Sequence, residues 1–276
     1  MVDLQTLWDL LNSKITKKRF DELTAKTPKR ICFGSTHQKA LKSAPSGPVG
    51  YFNVPFTETI GTLFPWRIFS NKYGYSRTIK TATEFDEVSA WIDANRDVVF
   101  IRSLLDSCVA TCEHQTDDHR SEVGELEYRA KWRDDEEAIV RLATILVETF
   151  QRLLSNARID AVTAIPSSTP GKKSVPCKLA EALATELGIE NITERVFWAG
   201  KKDTIKDKGA SEKWAILDQV GMTVDVDLKG RRVLIIDDMY QSGATVHFVA
   251  SKLQEAGAST LHCLAVSKSR GDKDNV

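Results

Sequence analysis

The sequence predicts an α/β fold with a parallel sheet over residues 134–276, preceded by a smaller α+β region. Two observations carry this. Three short apolar runs, 159–165 (IDAVTAI), 231–236 (RRVLII) and 260–266 (TLHCLAV), have the length and composition of strands buried on both faces. Each is separated from the next by a segment with apolar residues at helical spacing. Strand, helix, strand in close succession implies right-handed crossovers and parallel strands. In such sheets a ligand sits beyond the carboxyl ends of the strands.

The elements follow in order. Residues 3–24 predict one or two helices, with Leu4, Leu7, Trp8 and Leu11 at helical spacing. Residues 30–33 predict a short strand ended by Gly34. Residues 43–77, rich in Pro, Gly and aromatics, predict short strands and turns. A helix over 84–95 and a buried strand over 97–101 (DVVFI) complete an N-terminal region, 1–105. The polar stretch 106–133 predicts a connection or an exposed helix. From 134 onward Ile139, Leu142, Ile145, Leu146, Thr149 and Leu153 form one face of a long helix with acidic residues in its first turn. Then come the 159–165 strand, a helix over Val175–Leu187, a strand over 192–198, the 231–236 strand, a helix over 246–256 ended by Gly257, and the 260–266 strand.

The 276 residues suffice for one large domain or two ordinary ones, and the composition is that of a globular protein. Lys+Arg and Asp+Glu balance at 38 each, so net charge gives no indication of nucleic-acid binding, although local basic patches leave it open. No apolar run is long enough to span a bilayer, and the opening MVDLQTLWDLLNSK is acidic where a signal peptide needs a basic start. A cytoplasmic protein with no membrane partner is expected. Five scattered cysteines agree with reduced thiols. Cys108, Cys112, His114 and His119 form the tightest group, and i, i+4 spacing places both thiols on one face of a helix. The spacings match no standard zinc pattern, so a partly buried helix is expected and zinc is not.

The decisive stretch is 233–245, VLIIDDMYQSGAT. Four apolar residues form a strand, two carboxylates stand at its end, and a loop with Ser242, Gly243 and Thr245 opens into a helix. Backbone N–H groups at such a helix start suit a phosphate, and the hydroxyls add hydrogen bonds. Adjacent carboxylates accept hydrogen bonds from a vicinal diol such as the ribose 2- and 3-hydroxyls. Acid pairs at strand ends also serve as magnesium sites or as plain structural caps in unrelated α/β folds.

This stretch resembles the motif of type I phosphoribosyltransferases that binds phosphoribosyl pyrophosphate (PRPP): apolar strand, acid pair, hydroxyl-bearing turn, Gly-Ala-Thr. Over roughly 126–268 the order of elements is similar to the ComF-like branch: a helix, a strand ending in Ala164-Ile165-Pro166-Ser167, a helix with Leu179-Ala180, Leu183-Ala184 and Leu187-Gly188, the basic stretch KKDTIKDKGASEK, then the motif. The resemblance implies a Rossmann-like domain over 134–276 and assigns roles. Asp237 and Asp238 are the catalytic acid pair holding the ribose hydroxyls. Gln241, Ser242, Gly243, Ala244 and Thr245 hold the 5-phosphate. Ser167, Ser168, Thr169 and Lys172 face pyrophosphate. Lys201, Lys202, Lys206 and Lys208 belong to a mobile loop, and Lys268 and Arg270 stand where a closing loop would lie. No residue is assigned as a protein metal ligand; Mg2+ enters mainly through PRPP. Two departures stand out. Gln241 and Ser242 replace the paired Thr/Ser that many members carry, and no Cys-rich zinc module precedes the domain. The implied function is transfer of a phosphoribosyl group to an unknown nitrogen acceptor, with residues 1–105 as a hood. The alternative is a non-catalytic PRPP- or nucleotide-binding module that regulates a nucleic-acid-processing or defence system.

Overall fold

The computed structural model describes residues 15–34, 40–44, 47, 49–71, 74–116, 119–167, 173–201 and 208–270. In chain order its strands are β1 (Arg30–Cys32), β2 (Leu41–Ser43), β3 (Gly50–Val54), β4 (Phe69–Asn71), β5 (Gly74–Ile79), β6 (Val99–Ile101), β7 (Ser107–Glu113), β8 (Gln115–Thr116), β9 (His119–Arg120), β10 (Ala161–Ala164), β11 (Glu190–Asn191), β12 (Val196–Trp198), β13 (Met222–Val224), β14 (Arg232–Tyr240) and β15 (Thr260–Lys268). The helices are α1 (Lys17–Thr24), α2 (Ile60–Leu63), α3 (Ala82–Ala94), α4 (Glu122–Trp132), α5 (Glu136–Leu153), α6 (Val175–Leu187), α7 (Ala210–Val220) and α8 (Ala244–Glu255). Of the expected N-terminal helices, residues 1–14 lie outside the described residues.

The main sheet has seven strands in the order β1-β6-β7-β15-β14-β10-β11. From β7 to β11 every neighbour is parallel, and β6 and β1 continue the sheet antiparallel. The three strands expected from the apolar runs are therefore adjacent and parallel. The period-two alternation of β14 divides the core. Val233 and Ile235 pack on one face with Trp214, Phe248 and Val249 of α7 and α8. Leu234 and Ile236 pack on the other with Leu142, Leu146, Leu179 and Leu183 of α5 and α6. Each such side chain, fully buried, contributes about 1.5–3 kcal/mol. The helix ends follow their sequence signals. Asp135 caps α5 by accepting from Ala138 N at 3.1 Å, and Gly188, at φ +65°, ends α6.

A second, antiparallel sheet, β2-β3-β5-β4, covers the amino-terminal side. Along β3, Phe52 and Val54 are buried and Tyr51 and Asn53 exposed. The inward residues join the same apolar cluster as Leu234 and Ile236.

Three expectations need correction. Residues 106–133 are helix, as one reading allowed, only in their second half, α4; their first half holds β7, which pairs with β15 from Ser107 opposite His262 to Glu113 opposite Lys268. The run SCVATCE is buried over its first five residues, mostly small side chains that give no Val/Ile-rich signature. Cys108 and Cys112 therefore lie on a strand, not a helix. The 192–198 strand shrinks to β12, which pairs antiparallel with β13 outside the main sheet. Last, the end of the basic stretch KKDTIKDKGASEK is helix rather than loop, because α7 begins at Ala210 and is anchored by Trp214 and Leu217.

Candidate functional site

Where β10 ends, β14 goes on. Ala164 is the last β10 residue paired with β14, opposite Ile236, and Ile165 N donates to Ile236 O at 2.9 Å. Beyond that point β14 has lost its neighbour on this side and keeps β15 on the other. Asp237 and Asp238 occupy this step. The carboxylates thus stand inside the strand, not at its end as the sequence suggested, since pairing with β15 runs on to Tyr240 opposite Lys268. The step opens into a cleft of about 640 Å³, within the usual range for a small-molecule site.

Gln241 and Ser242 then turn the chain, Gly243 adopts φ +78°, and α8 starts at Ala244. Gln241, Ser242, Gly243, Ala244 and Thr245 all line the cleft, so the amino end of a twelve-residue helix faces it. Gly243 is required twice over. Its φ is one that L side chains rarely adopt, and a Cβ there would lie 2.0 Å from the Tyr240 hydroxyl. His247, fully buried, ties this loop to the protein: Nδ1–H donates to Gly243 O at 2.8 Å, and Nε2 accepts from Leu104 N at 3.2 Å. Burial lowers its pKa to about 4, against the opposing effect of the Gly243 hydrogen bond.

The opposite wall is α4, a helix the sequence allowed but to which it assigned no role. Lys131 reaches Asp238 Oδ2 at 2.6 Å. Burial opposes the charge of Lys131, but the Asp238 carboxylate outweighs it, and the lysine titrates above its ordinary value. Tyr128 and Trp132 also line the cleft, Trp132 being 68 % exposed, and Arg120 stacks over the Tyr128 ring at 4.1 Å. Glu127, Tyr128, Lys131 and Trp132 fall at i, i+1, i+4 and i+5, a helical spacing that was legible had the segment been read as one face. Lys213 of α7 adds a buried cation to the lining. Among the described residues lining the cleft, none comes from 1–105.

Of the residues assigned to pyrophosphate, Ser167 lines the cleft, whereas Ser168, Thr169 and Lys172 lie outside the described residues. Lys202 and Lys206 are likewise outside them. Lys201 and Lys208 are not among the lining residues, and Lys208 pairs with Glu212 at 2.9 Å. Lys268 is a buried strand residue rather than part of a closing loop. The cysteine–histidine group does not converge either. Cys112 is half-buried, and the loss of solvent around it pushes its thiol up to about 11, while His114 bonds Glu127. Among the described residues no three metal-binding side chains cluster, and no helix is long and apolar enough to cross a membrane.

No protein-family model matches the chain. An HGPRTase-like protein of Halobacterium salinarum is 28% identical over 131 residues, which is 47% of this chain and 65% of that protein. An orotate phosphoribosyltransferase of Nitrosococcus oceani is 32% identical over 104 residues, 38% of this chain and 41% of that one. These relatives are phosphoribosyltransferases or proteins like them. The chain thus spans between about two fifths and just under two thirds of the length of these relatives. Among solved structures, a purine phosphoribosyltransferase of Pyrococcus horikoshii aligns at 18% identity and TM-score 0.32, covering 47% of this chain and 81% of the other. An adenine phosphoribosyltransferase of Trypanosoma brucei aligns at 15% identity and TM-score 0.38, covering 57% and 70%.

Proposed function

We propose that the chain binds PRPP and transfers its phosphoribosyl group to a nitrogen acceptor, releasing pyrophosphate. The observation that carries this reading is the continuous path from Asp237–Asp238 through the Gly243 turn to the start of α8, all of it facing one cleft. The 5-phosphate lies on Gln241–Thr245. Ribose binding exchanges the Lys131 contact of Asp238 for sugar hydroxyls, so that Lys131, with Lys213, becomes available to phosphate oxygens. Ser167, and with it Ser168, Thr169 and Lys172, flanks the pyrophosphate. The flat faces of Tyr128 and Trp132 suit a planar nitrogen heterocycle, which gives α4 the covering role first expected of residues 1–105. The carboxylate oxygens of the cleft are a hard donor set that suits Mg2+, held mainly through PRPP itself. When bound, it neutralises charge on the departing pyrophosphate. For the rest, the protein orients the ribose, excludes water and stabilises the positive charge that develops on the sugar ring. A ComF-like affiliation and a cytosolic place in nucleotide metabolism complete the proposal.

The test is calorimetric titration with PRPP and magnesium, beside the Asp237→Asn/Asp238→Asn variant. Losing two charge-assisted hydrogen bonds, each about 1.5–3 kcal/mol, weakens binding at least tenfold. Thermal stability should fall modestly, because loss of the Lys131–Asp238 ion pair outweighs the relief of like-charge repulsion. A large fall in Tm with unchanged affinity would defeat the assignment.

A further inference from the structure

The reaction needs a group to take the proton of the acceptor nitrogen, and the phosphate loop lacks one. Between Met239 and Thr245 the titrating side chain is Tyr240, whose buried hydroxyl is pushed well above its ordinary range. Asp238 is engaged by Lys131, and the acid pair is assigned to the ribose diol. Two other proton-accepting groups line the cleft at α4, His114 and Glu127, and Oε2 of Glu127 is already taken up by Ser267 Oγ and His114 Nδ1.

His114 is held with unusual completeness. Its backbone N donates to Lys268 O at 2.8 Å and its carbonyl accepts from Ser121 N at 3.0 Å. Gly124 lets α4 press down on it, since a Cβ there would lie 2.3 Å from His114 O. The ring is oriented as firmly. Nδ1 lies 3.2 Å from Glu127 Oε2 and 3.3 Å from Ser267 Oγ, and Ser267 Oγ donates to the same carboxylate oxygen at 2.6 Å. Glu127 is 2% exposed, too deep to be spent on a merely structural surface contact. A buried carboxylate that accepts from Nδ1–H fixes the proton on that nitrogen and leaves the lone pair on Nε2. Both described ring contacts run through Nδ1, so Nε2 is the nitrogen left for a ligand.

We propose that His114 is the general base of the transfer reaction and Glu127 its positioning residue, an inference that rests on the function proposed above. As the acceptor nitrogen bonds to ribose C1, its N–H proton passes to His114 Nε2. The C1–O electrons leave with pyrophosphate, and the imidazolium then releases its proton to water. Glu127 steadies the imidazolium while it exists.

Three proteins decide it: the parent, His114→Ala and Glu127→Gln. PRPP with magnesium is titrated into each, and pyrophosphate release is followed with adenine, guanine, hypoxanthine, orotate and water as acceptors. The expected result is PRPP affinity within about twofold in all three, which also shows that the variants fold. Turnover in His114→Ala falls at least about 100-fold, the usual scale of general-base catalysis, and added imidazole restores part of it. Glu127→Gln lowers kcat without changing KM for PRPP and is not rescued by imidazole. Undiminished turnover in His114→Ala, or loss of PRPP binding in that variant, overturns the inference while leaving the function proposed above intact; a parent that binds PRPP yet releases no pyrophosphate with any acceptor overturns the inference and the transfer together, leaving PRPP binding alone. A parent that does not bind PRPP removes both, and is recognised before any turnover is measured.

Discussion

Gly243 and His247 hold the phosphate loop from its two ends. Gly243→Ala meets the Tyr240 hydroxyl and an unfavourable backbone at once. The left-handed conformation costs about 1–2 kcal/mol and overpacking about 1–3, so a loss of roughly 2–5 kcal/mol is expected in urea unfolding. Tyr240→Phe recovers only part, because the ring carbon beneath lies 2.5 Å from the added Cβ. His247 gives the loop a pH dependence. Unfolded, its imidazole takes a proton near pH 6.5, whereas the folded protein refuses that proton down to about pH 4. The unfolded state therefore binds more protons across that window. Stability is complete above about pH 6.5 and declines as pH falls toward 4, by on the order of 3 kcal/mol. His262, also lowered by burial, adds to the same slope. Urea midpoints at pH 7, 5.5 and 4.5 measure it, and His247→Gln should flatten it. At this scale the acid pair and the Gly243 turn were legible because their chemistry is local to thirteen consecutive residues. Lys131, Lys213 and His114 were not, since what brings them to the cleft is packing between distant segments.

Among the elements, β7 and α4 changed most between sequence and structure. Ser107, Cys108, Thr111 and Cys112 carry no hydrophobic signature, yet Ser107, Cys108 and Thr111 are buried in the strand that flanks β15. By contrast β10, β14, α6 and α8 were read from apolar runs and caps that act within a few residues. Helix α4 depends on Gly124 for its approach to the sheet. Gly124→Ala should raise the helix off His114 and loosen Lys131 from Asp238, at a cost of about 1–3 kcal/mol. Thermal unfolding checks the stability loss. Helix α4 supplies the far wall of the cleft, so PRPP affinity should fall in the same variant, whereas an exposed alanine elsewhere on α4 should leave both unchanged.

At the scale of the molecule, the amino-terminal region differs in composition from the rest but not in core. Phe52, Val54, Phe100 and Val109 share one apolar cluster with Leu142, Leu179 and Leu234. A fragment of residues 134–276 would keep β10, β11, β14 and β15 while losing β7, α4 and those aromatic side chains. It should give no cooperative unfolding transition and should elute as aggregate in gel filtration; a sharp two-state transition would show that the half stands alone. The sheet order also bears on how the chain is made. Strand β15 sits between β7 and β14, and Ser107 meets His262 across 155 positions of sequence. At 5–20 residues per second, β7 emerges from the ribosome roughly 8–30 s before the strand that closes its open edge. Until then that edge presents bare N–H and C=O groups to any passing strand, so the newborn chain is most exposed to mispairing through its middle, and least once its last strand has been synthesised.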